Sequence, residues 1–272
     1  MLNRKESLQK ILDKYPQKID YDLVRKYINL KTYECPEELK AYNGHEDYQN
    51  LFYLYCATVC FFDYSRSACG VLRANKEKLN DVTTIIDLGA GNGLTSLFLE
   101  EIFGAKIYYV QLDGIQKEFA KDLFYKDRVS HNIEVLPEDR QFIKTKVKVD
   151  LVFASDFFEH LVMPETYLNN VIIGCEPKYI VTCNAFTAKH PDHIQQYELF
   201  DGEGKTAKVQ PSKMSRVFNK SLRDRGYEIY FKGWSGRPTV WMKQESVTET
   251  LLELSNEEKI MYPSEEEKFK EI

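Results

Sequence analysis

Between residues 82 and 243 the chain alternates short β-rich runs with helix-length intervals, and this pattern limits the fold more than any other feature. The runs are Thr83–Leu88, Lys106–Val110, Asn132–Leu136, Val149–Ala154, Tyr179–Cys183, Glu228–Lys232 and Val240–Lys243. Helical stretches between the first five require parallel strands joined by crossovers. The last two runs are joined by the turn-rich Gly-Trp-Ser-Gly-Arg-Pro-Thr, so they pair as an antiparallel hairpin. The expected fold is α/β: a Rossmann-like mixed sheet of five parallel strands plus a C-terminal hairpin, flanked by helices.

Two flanking regions differ in character. Residues 1–80 mix charged and apolar residues at helical spacing, and the longest piece, from Asp47 to about Asn75, is rich in Tyr and Phe. A helical N-terminal cap or lid is expected there, with Phe61, Phe62 and Tyr64, together with Phe157 and Phe158 further along, lining an acceptor pocket or packed on the sheet. Residues 244–272 hold nine Glu against three Lys and read as a solvated acidic tail. The domain of interest is therefore residues 81–243.

Composition narrows the class. No apolar run is long enough to span a membrane, and the charged start lacks a signal-peptide core. The six cysteines form no CxxC pair, so a cytoplasmic, reduced protein is expected. A net charge of −5 argues against a partner held mainly through phosphates, although a local basic patch can still serve.

The first β-run ends in a glycine turn, Asp87-Leu88-Gly89-Ala90-Gly91-Asn92-Gly93-Leu94. A dinucleotide fingerprint needs a glycine where Leu94 stands, and a triphosphate-cradling loop needs a Gly-Lys pair that is absent. A tight GxGxG turn brings bare backbone against a ligand without demanding a pyrophosphate seat.

Four segments in order then resemble the class I S-adenosylmethionine-dependent methyltransferases. They are the glycine turn, the strand end Tyr109-Val110-Gln111-Leu112-Asp113, the run Ile133–Asp139, and Val149–Leu161 with its Ser155-Asp156-Phe157-Phe158-Glu159-His160 turn. The resemblance implies S-adenosylmethionine as cofactor, held by Asp87, Gly89, Gly91, Asn92, Gly93, Asp113, Asp139 and Ser155. In that reading the glycines admit the methionine part, and Asp87 orients the loop or meets the cofactor's amino group. Asp113 accepts from the ribose hydroxyls, and Asp139 accepts from the adenine amine.

Acceptor-side candidates follow the fourth and fifth strands, because open α/β sheets bind ligands at the carboxyl ends of their strands. Asp156, His160, His190 and His193 are the catalytic candidates, with histidine suited to act as a base near neutral pH. An acid followed by Glu-His three and four positions on, with later histidines, is also similar to the metal site of small-RNA 2′-O-methyltransferases and of a quinone-pathway O-methyltransferase group. That likeness implies a divalent metal on Asp156, Glu159, His160 and His193. Without a metal, Glu159 and His160 brace the turn instead.

Motifs of the base-methylating DNA enzymes are missing after the fourth strand, which argues against DNA as acceptor. Lys213, Arg216, Lys220 and Arg223 form one face of an amphipathic helix, with Met214, Val217, Phe218 and Leu222 on the other. That basic face is either a solvated surface or a phosphate contact for RNA. The expected reaction is methyl transfer to a hydroxyl or amine of a small molecule or sugar. Metal-assisted RNA 2′-O-methylation and a non-catalytic S-adenosylmethionine-binding subunit are the alternatives.

Overall fold

A computed structural model describes residues 65–126, 132–136, 147–187, 193–200, 205–233 and 238–244. The proposed cap (except its end), the acidic tail, Asp139 and His190 lie outside these residues.

The strands are β1 (Thr84–Leu88), β2 (Lys106–Val110), β3 (Ile133–Val135), β4 (Leu151–Ser155), β5 (Tyr179–Cys183), β6 (Tyr197–Phe200), β7 (Thr206–Val209), β8 (Tyr227–Lys232) and β9 (Thr239–Lys243). The helices are α1 (Arg66–Ala74), α2 (Leu94–Phe103), α3 (Ile115–Lys121), α4 (Pro164–Cys175) and α5 (Pro211–Asp224). Seven strands make one sheet in the order β3-β2-β1-β4-β5-β9-β8. The first five are parallel, and β9 and β8 close the edge antiparallel. The expected architecture is what the chain adopts.

Both faces of the sheet are covered, which is why its central strands are almost wholly apolar. Side chains alternate between two cores with the two-residue period of a strand. Ile85, Leu151, Phe153, Tyr179, Val181 and Val240 belong to one core, together with α1, α2 and α3 residues. Ile86, Val152, Ala154, Ile180 and Trp241 belong to the other, with α4 and α5. Helix α5 buries Met214, Phe218 and Leu222 and exposes Lys213, Arg216, Lys220 and Arg223, as its periodicity requires. Pro164 and Pro211 open α4 and α5, where a missing N–H costs nothing. At the amino edge of the sheet, Asp150 Oδ2 accepts from the backbone and hydroxyls of Thr83 and Thr84, clamping β4 to β1.

One element was absent from the sequence reading. Strands β6 and β7 form a separate two-stranded antiparallel sheet after β5. It hangs on the turn after β4, because Glu198 N donates to Val162 O at 2.8 Å.

Candidate functional site

The strand order reverses between β1 and β4, whose neighbours lie on opposite sides. Ligands of open α/β sheets bind in the crevice at that switch point. Here the crevice is lined by the turn after β1 and the turn after β4.

The turn after β1 is fixed by its glycines and by β2. Gly89, Gly91 and Gly93 all take left-handed φ values of +66°, +55° and +83°, a region costly for side-chain-bearing residues. Gly93 starts α2, and a Cβ there would meet Phe124 Cζ at 2.5 Å and Ala120 Cβ at 3.0 Å. A Cβ on Gly89 would overlap the ring of Phe157. Packing within the protein thus accounts for two of the three glycines. The Gly91 peptide is held at both ends: its N–H donates to Gln111 Oε1 at 3.0 Å, and its carbonyl accepts from Tyr109 Oη at 2.5 Å. The two N–H groups of Gly89 and Ala90 point to Val110 O, closing the turn onto β2.

Asp87 lies beneath this turn and is fully enclosed. Its Oδ2 accepts from Ser96 Oγ at 2.7 Å, so it ties β1 to α2. Burial pushes its carboxyl up to about 7, with the Ser96 hydroxyl pulling the other way. Asn92 is buried, and its Oδ1 accepts from Leu94 N at 3.3 Å. Ser155 Oγ lies 3.3 Å from Ser65 Oγ, so the residue preceding α1 reaches the rim of the crevice.

Asp113 is engaged with α3. Its carboxylate is 69% exposed and pairs with Lys117 Nζ at 2.8 Å, one turn along α3. The Lys117 partner holds the Asp113 carboxyl below its usual range. Gln111, not singled out from sequence, touches the glycine turn, and so does Phe157, one of the aromatics expected to line a pocket. A position count would have found the first, since Gln111 is the residue immediately past β2.

The turn after β4 gathers the acceptor-side candidates. Asp156 adopts φ +54°, a strained value for a residue with a side chain. Its Oδ1 lies 3.6 Å from His160 Nε2 and 3.8 Å from His193 Nε2, and the two imidazoles meet edge to face at 4.9 Å. Ligand atoms of these three residues all lie within 4.8 Å of one another. Burial disfavours charge on Asp156, but the facing His160 and His193 rings outweigh it and hold the carboxyl well below the ordinary range.

Glu159 plays a different part from those three. It is fully enclosed, and its Oε1 accepts from Ala185 N at 2.6 Å. Its carbonyl accepts from Ile194 N and Tyr197 Oη, both at 3.1 Å. One residue therefore ties the turn after β4 to both segments that follow β5, including the one carrying His193. Burial, then the neighbouring Asp156 charge, raises the Glu159 carboxyl above its usual range. Glu159 Oε2 and Asn184 Oδ1 are buried acceptors with no donor among the described residues.

The family model described as "Methyltransferase domain" matches residues 86–172. Pavine N-methyltransferase of Thalictrum flavum subsp. glaucum is 31% identical over 101 residues, covering 37% of this chain and 28% of that protein. The histone-arginine methyltransferase CARMER of Drosophila willistoni is 32% identical over 88 residues, 31% of this chain and 16% of that one. The match thus spans less than a third of either relative's length. Among solved structures, the mitomycin 7-O-methyltransferase MmcR aligns at a TM-score of 0.48 and 12% identity, over 90% of this chain and 74% of that one. The matched residues, 86–172, hold the glycine turn, β2, β3, β4 and the turn that carries Asp156 and His160, so this segment of the chain is similar to a methyltransferase domain.

Proposed function

We propose that this protein transfers the methyl group of S-adenosylmethionine to a hydroxyl or amine of a small molecule or sugar. The observation that carries this reading is the adjacency of the glycine turn and the Asp156–His160–His193 cluster across the switch point, bridged by Phe157 against Gly89. When bound, S-adenosylmethionine supplies an activated methyl on a sulfonium, which needs in-line positioning more than heavy chemistry. The site fits the nucleoside through the clamped Gly91 turn, the Gln111 amide and the exposed Leu112 side chain at the carboxyl edge.

The chain's own residues would then do three things. The glycine turn and Asp87 set the height of the cofactor over β1. Phe157, packed on Phe158 and Tyr167 at 5.3 and 5.4 Å, walls the side toward the acceptor. His160 or His193 takes the proton released by an acceptor hydroxyl, with Asp156 stabilising the imidazolium that forms.

A second reading, metal-assisted RNA 2′-O-methylation, is favoured by the same cluster and by the exposed basic face of α5. Two imidazole nitrogens and a carboxylate oxygen suit a divalent ion. The ligand atoms of Asp156, His160 and His193 lie within 4.8 Å of one another, close enough to converge on one ion. Asp156, His160 and His193 would hold the ion, which would lower the pKa of an acceptor hydroxyl.

Methyl transfer from labelled S-adenosylmethionine, scored against hydroxyl and amine small molecules and against short RNA, tests both readings. Labelled small molecules without chelator sensitivity support the first. Labelled RNA, abolished by chelator and restored by metal, supports the second. Binding of S-adenosylmethionine with no transfer to either class assigns a non-catalytic subunit instead.

A further inference from the structure

Helix α5 turns four cations outward, Lys213, Arg216, Lys220 and Arg223, at three- and four-residue spacing. Like charges at that spacing repel, so the face is short of counter-charge. Lys220 pairs with Asp224 at 2.5 Å, and Arg223 lies over the Trp241 ring at 5.7 Å. Lys213 and Arg216, nearer the start of the helix, have no ion pair among the described residues. No acid stands in the first turn of α5. The acids that flank the stripe, Asp224 and Glu228, lie past its other end and already meet Lys220 and Gln244. Lys208, exposed on β7 just before the helix, adds positive charge, with Glu198 across the hairpin from it.

The chain holds matching negative charge close by. Strand β9 finishes beside the end of α5, where Gln244 N donates to Gly226 O at 2.8 Å and Lys243 Nζ donates to Arg225 O. The segment that continues from Gln244, residues 245–272, has nine Glu and three Lys. Its net charge is −6 in a chain of −5, so the rest of the chain is +1. Its first four acids, Glu245, Glu249, Glu253 and Glu257, recur every fourth residue, close to the spacing of the basic stripe. Reach is no obstacle. The 14 residues of α5 make a rod about 21 Å long, which roughly six or seven extended residues can span.

We infer that the exposed face of α5 is a docking surface for an acidic peptide, and that its occupant is this chain's own residues 245–272. Exposed ion pairs are individually weak. Tethering at Gln244 makes up the difference, because it holds the acidic segment at a local concentration on the order of millimolar. Docking is therefore strongest at low ionic strength and is lost when salt screens the charges. The consequence is regulatory: RNA or another polyanion reaches α5 only by displacing the segment. This inference is independent of the S-adenosylmethionine reading, since it uses no residue of the glycine turn or of the Asp156 cluster.

The test is zero-length coupling of carboxylates to amines with a carbodiimide, on the full chain, at about 0.02 M and about 1 M salt. Peptide mass spectrometry of the monomer should find Lys213 joined to a glutamate of 245–272 at low salt. That link should fall about fivefold or more at high salt. Lys213 is the informative amine, because Lys220 can couple to Asp224 within the helix. Binding of a short labelled RNA gives a second readout. Changing the nine glutamates of the segment to glutamine should tighten it about tenfold. Adding Lys213→Gln and Arg216→Gln should remove most of that gain, whereas Lys76→Gln and Lys78→Gln, exposed residues past α1, should leave it. Links found only in covalent dimers would make the occupant a second copy and overturn the inference. Links from the segment only to other lysines, RNA binding indifferent to its charge, or a gain insensitive to Lys213 and Arg216 would leave α5 an open surface and overturn it equally.

Discussion

Phe157 lies on Gly89 so closely that a methyl group at Gly89 would displace the aromatic ring. The turn after β4 and the turn after β1 are thereby locked to each other across the switch point. Gly89→Ala meets two penalties: the strain of φ +66° and the overlap with Phe157. Each is worth about 1–3 kcal/mol. We expect a loss of about 2–6 kcal/mol in urea unfolding and weakened binding of S-adenosylhomocysteine. Adding Phe157→Leu relieves the overlap alone and recovers part of the stability. No recovery in the double variant would mean the ring is not what Gly89 accommodates.

Asp87 makes stability depend on pH in a definite direction. Its folded carboxyl is raised from the ordinary 3.8 to about 7, chiefly by burial. The folded state therefore keeps a proton that the unfolded chain releases above pH 4. That contribution is complete below about pH 4 and is lost as pH rises through 7. The interval corresponds to a contribution on the order of 4 kcal/mol. Chemical denaturation of the wild type and Asp87→Asn at pH 5, 6, 7 and 8 should show the wild type losing stability relative to the variant up to about pH 7, then running parallel. Parallel curves throughout would show that Asp87 is ionised in the folded chain.

Much of this was legible in the sequence because parallel strands buried on both faces are written as unbroken apolar runs. Lys106–Val110 and Tyr179–Cys183 kept their sequence-read limits, and the other main-sheet strands shifted by up to two residues at an end. Strands β6 and β7 escaped because Tyr-Glu-Leu-Phe and Thr-Ala-Lys-Val are short and half polar. The Asp201-Gly202-Glu203-Gly204 stretch between them is a hairpin signal that could have revealed them. Residue type and position pull apart in two places. An acid near the end of β2 drew attention to Asp113, which pairs with Lys117, while Gln111 at the strand end touches the glycine turn. An acid beside His160 suggested a ligand in Glu159, and only the folded chain shows that Ala185 N donates to its carboxylate.

The different parts of Glu159 and the histidines predict different responses to metal. Titration with Co²⁺, followed by visible absorbance, should give a signal that His160→Ala and His193→Ala each abolish. Glu159→Gln keeps an acceptor for the Ala185 N–H, so it should retain the signal, whereas Glu159→Ala frees the segments after β5 and weakens it. Loss of signal in Glu159→Gln equal to that in His193→Ala would make Glu159 a ligand in its own right. No signal in the wild type would remove the metal and leave the histidines as proton acceptors.

Phe218 connects the outer helix α5 to the reacting edge. Its ring centroid lies 4.7 Å from that of Phe158 and 5.3 Å from that of Phe186, the residues beside Glu159 and Ala185. Phe218→Ala removes a buried ring, at a cost of about 3–5 kcal/mol in unfolding. Because it also loosens the packing under the turns after β4 and β5, methyl transfer should fall further than S-adenosylhomocysteine binding, whose proposed site lies at β1 and β2. Exposed neighbours on the same helix supply the control. Among the described residues Lys220 pairs with Asp224, one turn away in solvent, and Lys220→Gln should change stability by less than about 0.5 kcal/mol. Binding and transfer that fall in equal proportion in Phe218→Ala would show that the helix supports the whole fold without favouring the acceptor side.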